Sequence, residues 1–297
     1  YPDPSARRLE KQVRDVWNVN SSLGMLFGNG SDELIQLIAM TFGTSERPIL
    51  APAPSFVMYQ MVADFCRLKY VPVSLNPDFS LDLEAMLDAI AAEQPSVVYL
   101  AYPNNPTGNR FNPEEIHTII EAAPGVVVID EAYFPFAQHS FLHEMEQHPK
   151  TLLIRTVSKM GLAGLRCGIM VGHPLLIDQI NKVRMPYNIN ALTQESVRFA
   201  LENHDVFVEQ VDQIVIERER VKKTLEEIPQ LEVFPTEANF VLVKVLEGGA
   251  DALYSKLLGE KILIKNLSPA GGVLENCLRI TVGTPDENDQ VLKIITS

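Results

Sequence analysis

Cysteine occurs three times in 297 residues, as Cys66, Cys167 and Cys277. An odd set without paired spacing supports neither a disulfide framework nor a thiolate zinc site, so no metal centre is expected and a reducing cytoplasm is the simplest home. No apolar run approaches the roughly 18 residues that read as a membrane span, and no charged-then-apolar leader opens the chain. Positive charge is also short: 25 Lys and Arg stand against 38 Asp and Glu, a formal charge of -13. That balance argues against unspecific attraction to nucleic acid or anionic lipid, and neither is expected as a partner. Internal repeats and low-complexity linkers are missing too. What remains is a chain with 46% apolar residues, enough to bury a large core in one big domain with a smaller companion. It opens on Tyr1-Pro2-Asp3-Pro4 without an initiator Met. That run reads as the middle of a loop, so a preceding segment is expected.

From about Met25 to Gly172, short apolar runs alternate with amphipathic stretches, the pattern of βα units around a mostly parallel sheet. Strands are expected at Pro48–Ala51, Lys69–Leu75, Ser96–Ala101, Val126–Asp130, Thr151–Val157 and Cys167–Val171. Helices are expected at Asp32–Phe42 and Leu83–Ala92, and another opens at Asn112-Pro113-Glu114-Glu115 with its cap, first-turn Pro and returning Glu. A long helix over Val206–Ile228, striped by Val208, Val211, Ile214, Val215, Arg218 and Val221, links to a small α+β unit. That unit has strands at Ala238–Val245, Ile262–Asn266 and Leu278–Val282, then a helix opening at Thr284-Pro285-Asp286-Glu287. The expected division is a leading segment 1–23, a large domain 24–204, and a linking helix with a small domain 205–297.

The strand Val126–Ile129 ends in Asp130, and in parallel sheets ligands gather at the carboxyl ends of strands. Alone, such an Asp ordinarily caps a turn. The next strand ends in Ser158-Lys159, which brings a lysine to the same edge. An isolated strand-end lysine is usually solvated, but the following Met160-Gly161-Leu162-Ala163-Gly164-Leu165-Arg166 is apolar and glycine-rich. Burial disfavours the ammonium and makes the amine nucleophilic toward carbonyls, as Schiff-base chemistry needs. Tyr102-Pro103-Asn104-Asn105-Pro106-Thr107-Gly108 falls at that edge as well, with two prolines bracketing Asn105. Gly28-Asn29-Gly30-Ser31-Asp32 opens a helix whose free N–H groups can hold a phosphate.

Together these motifs resemble the fold type I pyridoxal-phosphate-dependent aminotransferases, and within them the histidinol-phosphate aminotransferase branch. The resemblance runs through almost the whole chain in order. It is carried by Tyr1-Pro2-Asp3-Pro4, Gly30-Ser31-Asp32-Glu33, Pro103-Asn104-Asn105-Pro106-Thr107-Gly108, Asp130-Glu131-Ala132-Tyr133, Ser158-Lys159 with Gly164-Leu165-Arg166, and Leu278-Arg279-Ile280-Thr281-Val282-Gly283-Thr284. It implies pyridoxal 5'-phosphate as cofactor, a large domain with a seven-stranded mostly parallel sheet, and a homodimer with shared active sites. Lys159 would carry the cofactor and then move the substrate proton. Asp130 would keep the pyridine nitrogen protonated. Asn105 and Tyr133 would bind the phenolic oxygen. Arg166, Ser158 and the amides of Gly30, Ser31 and Asp32 would hold the phosphate, Phe56 would stack on the ring, and Tyr1 would reach the neighbour's cofactor phosphate. Arg279 would fork onto the substrate carboxylate.

The pattern departs at two places. Phe56 stands where many relatives carry Tyr, which keeps stacking and removes a hydroxyl. Lys265 stands where the branch commonly has an Arg for the substrate phosphate, which keeps the charge without the planar fork. The implied reaction pairs histidinol phosphate with 2-oxoglutarate. An aromatic aminotransferase or a decarboxylase of a phosphorylated amino acid would use the same Lys159 and Asp130. A cofactor-sensing regulator domain predicts an attached basic DNA-binding segment, and the acidic sequence has none.

Overall fold

The computed structural model of the chain describes residues 1–296. Its larger sheet has seven strands, β1 (Gly24–Asn29), β2 (Ile49–Ala53), β3 (Tyr70–Ser74), β4 (Val97–Ala101), β5 (Val126–Asp130), β6 (Thr151–Thr156) and β7 (Cys167–Gly172), in the order β1-β7-β6-β5-β4-β2-β3. Only β7 runs against its neighbours, so the sheet is mostly parallel, as expected. The central strands β4, β5 and β6 are buried at every position. Unbroken apolar runs such as Val126-Val127-Val128-Ile129 suit a sheet covered on both faces, whereas a one-sided sheet would alternate. Successive residues feed opposite cores. Val98, Leu100, Val127, Ile129 and Leu153 enter one, and Val97, Tyr99, Val128, Leu152 and Ile154 enter the other. Each fully buried aliphatic side chain contributes about 1.5–3 kcal/mol.

The smaller sheet comprises β8 (Leu231–Val233), β9 (Phe240–Val245), β10 (Lys265–Asn266) and β11 (Cys277–Thr281), in the antiparallel order β10-β11-β9-β8. The strand expected at Ile262–Asn266 shrinks to two residues, because β10 pairs only Lys265 with Arg279 and Asn266 with Leu278. The one expected from Ala238 starts at Phe240, since the Thr236 hydroxyl donates to the Phe240 carbonyl and accepts from Ala238 N–H, tying a turn there.

The long helix spans His204–Glu226. Its expected stripe holds at Val211, Arg218 and Val221, while Val208 is exposed. Arg218 is buried, and its Nη1 donates to the carbonyls of Phe136 and Ala238 at 3.2 and 3.3 Å. A charge in that stripe therefore stitches the loop after β5 to the approach to β9. β1 escapes pattern reading because Gly24 and Gly28 interrupt it at the sheet edge. Among the described residues no helix is long and apolar enough to cross a membrane.

Candidate active site

The last residue of β5 sets the chemistry. Asp130 is 3% exposed. Its Oδ2 accepts from the Tyr59 hydroxyl at 2.9 Å and its Oδ1 from Ala132 N–H at 3.1 Å. Burial pushes the carboxyl up to about 6, against the pull of those two donors and of the Lys159 charge. Tyr59 is itself held by stacking on Tyr99, with centroids 4.6 Å apart.

The neighbouring strand delivers the lysine. At the end of β6 the Thr156 hydroxyl accepts from Ser158 N–H at 3.1 Å and opens the tight turn Val157–Met160. That turn throws Lys159 toward Asp130, with Nζ 5.2 Å from the Tyr133 ring centroid. Burial first, and the Arg279 charge second, lower the Lys159 pKa, opposed by Asp130 and Asp32. A weakened ammonium is easier to deprotonate, as a nucleophile or base requires.

The segment after β4 forms another wall. Beside the two prolines that bracket Asn105, Asn104 ties the segment down. Its buried amide donates to the Pro54 carbonyl (3.0 Å) and the Thr107 hydroxyl (2.7 Å), and its oxygen accepts from Ser55 at 2.8 Å. Asn105 is thereby presented to the cavity, where its oxygen accepts from Arg279 Nη1 at 2.6 Å. Arg279 sits on β11 with its guanidinium 4.8 Å from the Phe240 ring centroid. Its Nε is buried without a partner among the described residues.

The fourth component is the N-terminus of the helix Ser31–Phe42, which no side chain caps. Gly30 has φ 81° there, and a Cβ on it would lie 2.3 Å from Arg166 Nη2. Gly168 opposite permits the approach, since its Cβ would meet the Gly30 carbonyl carbon at 2.6 Å. Free N–H groups and a guanidinium thus meet at one point, a ready anion site. Arg166 pairs with Asp32 at 3.0 Å across this half-exposed spot.

Nine of the expected residues, Ser31, Asp32, Phe56, Asn105, Asp130, Tyr133, Ser158, Lys159 and Arg166, line one cavity of about 180 Å³. Gly30 adjoins it beneath Arg166, and Arg279 reaches it through Asn105. Two expected residues stand apart. Lys265 is exposed, yet it lies directly opposite Arg279 in the β10–β11 ladder, so the two side chains leave the sheet on the same face. Tyr1 is fully exposed, 5.0 Å from the Tyr187 ring and outside this cavity. The sequence reading misses Tyr59, whose helix Met58–Phe65 reads as ordinary apolar packing, and Thr156, whose cap becomes visible only with the turn.

Comparison with known proteins agrees with this geometry. The aminotransferase class I and II family matches residues 1–295. The chain is 46% identical to histidinol-phosphate aminotransferase 2 of Nitrosococcus oceani over 295 residues, 99% of this chain and 82% of that protein. It is similar in structure to the histidinol-phosphate aminotransferase of Clostridium acetobutylicum, with TM-score 0.91, 26% identity, and 99% and 89% of the two chains covered. The enzyme of that name from Sinorhizobium meliloti, solved in complex with pyridoxal-5'-phosphate, gives TM-score 0.87 at 25% identity, covering 100% of this chain and 83% of that one. With this fold type I architecture and a match along nearly its full length, the chain belongs to the class I and II aminotransferases.

Proposed function

We propose that the cavity binds pyridoxal 5'-phosphate and that the protein exchanges an amino group between L-histidinol phosphate and 2-oxoglutarate, giving imidazole-acetol phosphate and glutamate in histidine biosynthesis. The observation that carries this reading is the meeting of Lys159 and Asp130, from adjacent strand ends, in one cavity with an anion site at its rim. The relatives' shared name supplies the substrate. When bound, the cofactor supplies a carbonyl carbon for the amino group and a ring that accepts electrons.

The residues present fit that group. The uncapped helix end with Arg166 suits its phosphate, and Ser158 faces the same cavity. Asp130 suits a protonated ring nitrogen, because a cationic partner would offset the burial that now holds the carboxyl near 6. Asn105 and Tyr133 line the same cavity and would offer an amide and a hydroxyl to the phenolic oxygen, and Phe56 an aromatic face. Lys159 would hold the cofactor covalently and, once released, carry the proton lost by the substrate's Cα.

Arg279 provides the substrate fork. With Nη1 held by Asn105, its Nε is left without a partner among the described residues and keeps a donor for an incoming anion. Glutamate and 2-oxoglutarate bring an α-carboxylate there. Histidinol phosphate has none, so its phosphate ester takes that charge, with Lys265 adding a point charge from the same sheet face. We place the working enzyme in the reducing cytoplasm, in keeping with its three free cysteines. We read it as a homodimer in which Tyr1, remote from its own cavity, serves the neighbour's.

Amino-donor profiling of the purified enzyme tests the assignment. Histidinol phosphate, phenylalanine, tyrosine and glutamate are compared by following the cofactor spectrum through each half-reaction. Fastest conversion by histidinol phosphate, with glutamate formed from 2-oxoglutarate, is expected. Preference for an aromatic amino acid, or carbon dioxide release, would overturn it.

A further inference from the structure

None of the residues of a second cluster lines the cavity. His117 comes from the helix Pro113–Ala122, Glu144 from the turn Phe141–Gln147, and His148 directly follows that turn. One ligand atom from each lies within 4.8 Å of the other two, and all three residues are half-buried. His117 Nε2 is 3.1 Å from Glu144 Oε2. The His117 and His148 rings lie 5.2 Å apart, tilted by 34°. Two imidazoles set side by side gain little from each other. His148 Nε2, moreover, is buried with no hydrogen-bond partner among the described residues, an unfavourable state for a polar atom unless something binds it.

We infer that His117, Glu144 and His148 form a binding site for a divalent first-row transition ion, zinc being the best match. Two imidazoles and one carboxylate suit that ion, and three protein ligands leave a position for water. A further histidine lies behind the carboxylate. Glu144 Oε1, the oxygen turned from His117, lies 3.7 Å from His139 Nε2, and His139 Nδ1 is 3.2 Å from the Tyr102 hydroxyl. At that distance His139 is a neighbour of the carboxylate and within reach of becoming its hydrogen-bond partner, the kind of outer support that metal ligands commonly have. The buried Phe141 ring packs edge-on against both His117 and His139, at 5.4 and 5.5 Å, and shields one side from water. No cysteine takes part, and His117 comes from a different element than the Glu144–His148 segment, so sequence spacing alone does not mark the site.

The ion's role is to fasten. It would tie the helix Pro113–Ala122 to the turn Phe141–Gln147, whose first N–H donates to Glu131 Oε1 at 2.7 Å. Glu131 adjoins Asp130, so the ion would brace the rear of the active site without touching substrate. Binding to the folded state alone raises the unfolding temperature with metal concentration.

The test is calorimetric titration of the tag-free, cofactor-loaded enzyme with zinc chloride, repeated on His117→Gln, His148→Gln and, as a control at a distant histidine, His173→Gln. The expected result is one equivalent bound by the parent and the control, a concentration-dependent rise in unfolding temperature, and at least tenfold weaker binding by both cluster variants. Absence of stoichiometric binding by the parent, or parent-like binding by either cluster variant, overturns the inference. Should a variant fail to fold, X-ray absorption of the zinc-loaded parent decides: two imidazoles in the coordination sphere uphold the site, and none refutes it.

Discussion

Asp130 and Glu131 are adjacent carboxylates, both buried, with opposite solutions to the same electrostatic problem. Glu131 faces the interior. Its Oε2 takes Arg155 Nε at 3.0 Å and the Ser140 hydroxyl at 2.9 Å, and its Oε1 takes Phe141 N–H at 2.7 Å. Arg155 in turn lies 4.1 Å from the Phe134 ring centroid. Asp130 faces the cavity with one hydroxyl, one amide and a nearby lysine, and its carboxyl is pushed up to about 6. One carboxylate is complete and the other is held short of a partner. Structural charges are satisfied within the fold, while a functional charge keeps capacity for a ligand.

The largest effect expected from disturbing this pair of environments lies on the cavity side. Lys159→Ala should lower transamination roughly 10⁴-fold, about 5 kcal/mol of barrier, while leaving cofactor binding by Arg166 and Asp130 largely in place. Single-turnover rates and equilibrium dialysis of the cofactor check it, and substantial turnover by the variant would remove Lys159 from its role.

On the interior side, Arg155→Met leaves Glu131 buried and uncompensated, which should cost about 3–5 kcal/mol of stability. Adding Glu131→Gln should recover part of that loss. Urea denaturation of the three proteins reads both numbers, and a neutral Arg155→Met would erase the contrast between the two carboxylates.

Asp130→Asn should act with the opposite sign. The folded value of about 6 exceeds the ordinary carboxylate value of 3.8, so between those pH values the folded state holds a proton that the unfolded state has lost. Stability from this group is therefore full below about pH 4 and falls as pH rises through about 6, by roughly 3 kcal/mol in total. In the cofactor-free protein Asp130→Asn should abolish that slope and gain up to this amount at pH 7.5, while turnover is lost. Urea midpoints at pH 4.5 and 7.5 test it; an unchanged slope would place the titration elsewhere.

Two smaller effects concern residues outside the cavity lining. Arg279→Lys should reduce kcat/KM for glutamate by about 2–3 kcal/mol, because an ammonium cannot reproduce the fork, while Lys159 still takes up cofactor. An unaltered kcat/KM would move the anion site. Tyr1→Phe should weaken cofactor retention by about 1 kcal/mol, the net value of one hydrogen bond, and only in the dimer; identical affinity in the variant would leave Tyr1 without a role.

Much of this was legible because it is local. The Val126–Asp130 and Ser158-Lys159 motifs place their residues by strand length alone, and Asn112-Pro113 announces a helix that the structure starts at Pro113, with the Asn112 side chain accepting from Glu114 N–H. Short pairings were harder to read. Ile262-Leu263-Ile264 has strand composition, but the ladder reaches only Lys265 and Asn266, since a strand exists only where a partner offers hydrogen bonds.

The sequence by itself determined the fold class, the order of the strand ends and that Lys159 and Asp130 share one edge of the sheet, because periodicity and motif order are properties of the chain. Tertiary structure alone decided that Asn104 is tied to Pro54, Ser55 and Thr107, that Tyr59 reaches Asp130 from 71 residues away, and that His117 meets Glu144 and His148. Those contacts depend on which elements pack together, and packing joins residues whose separation along the chain carries no signal.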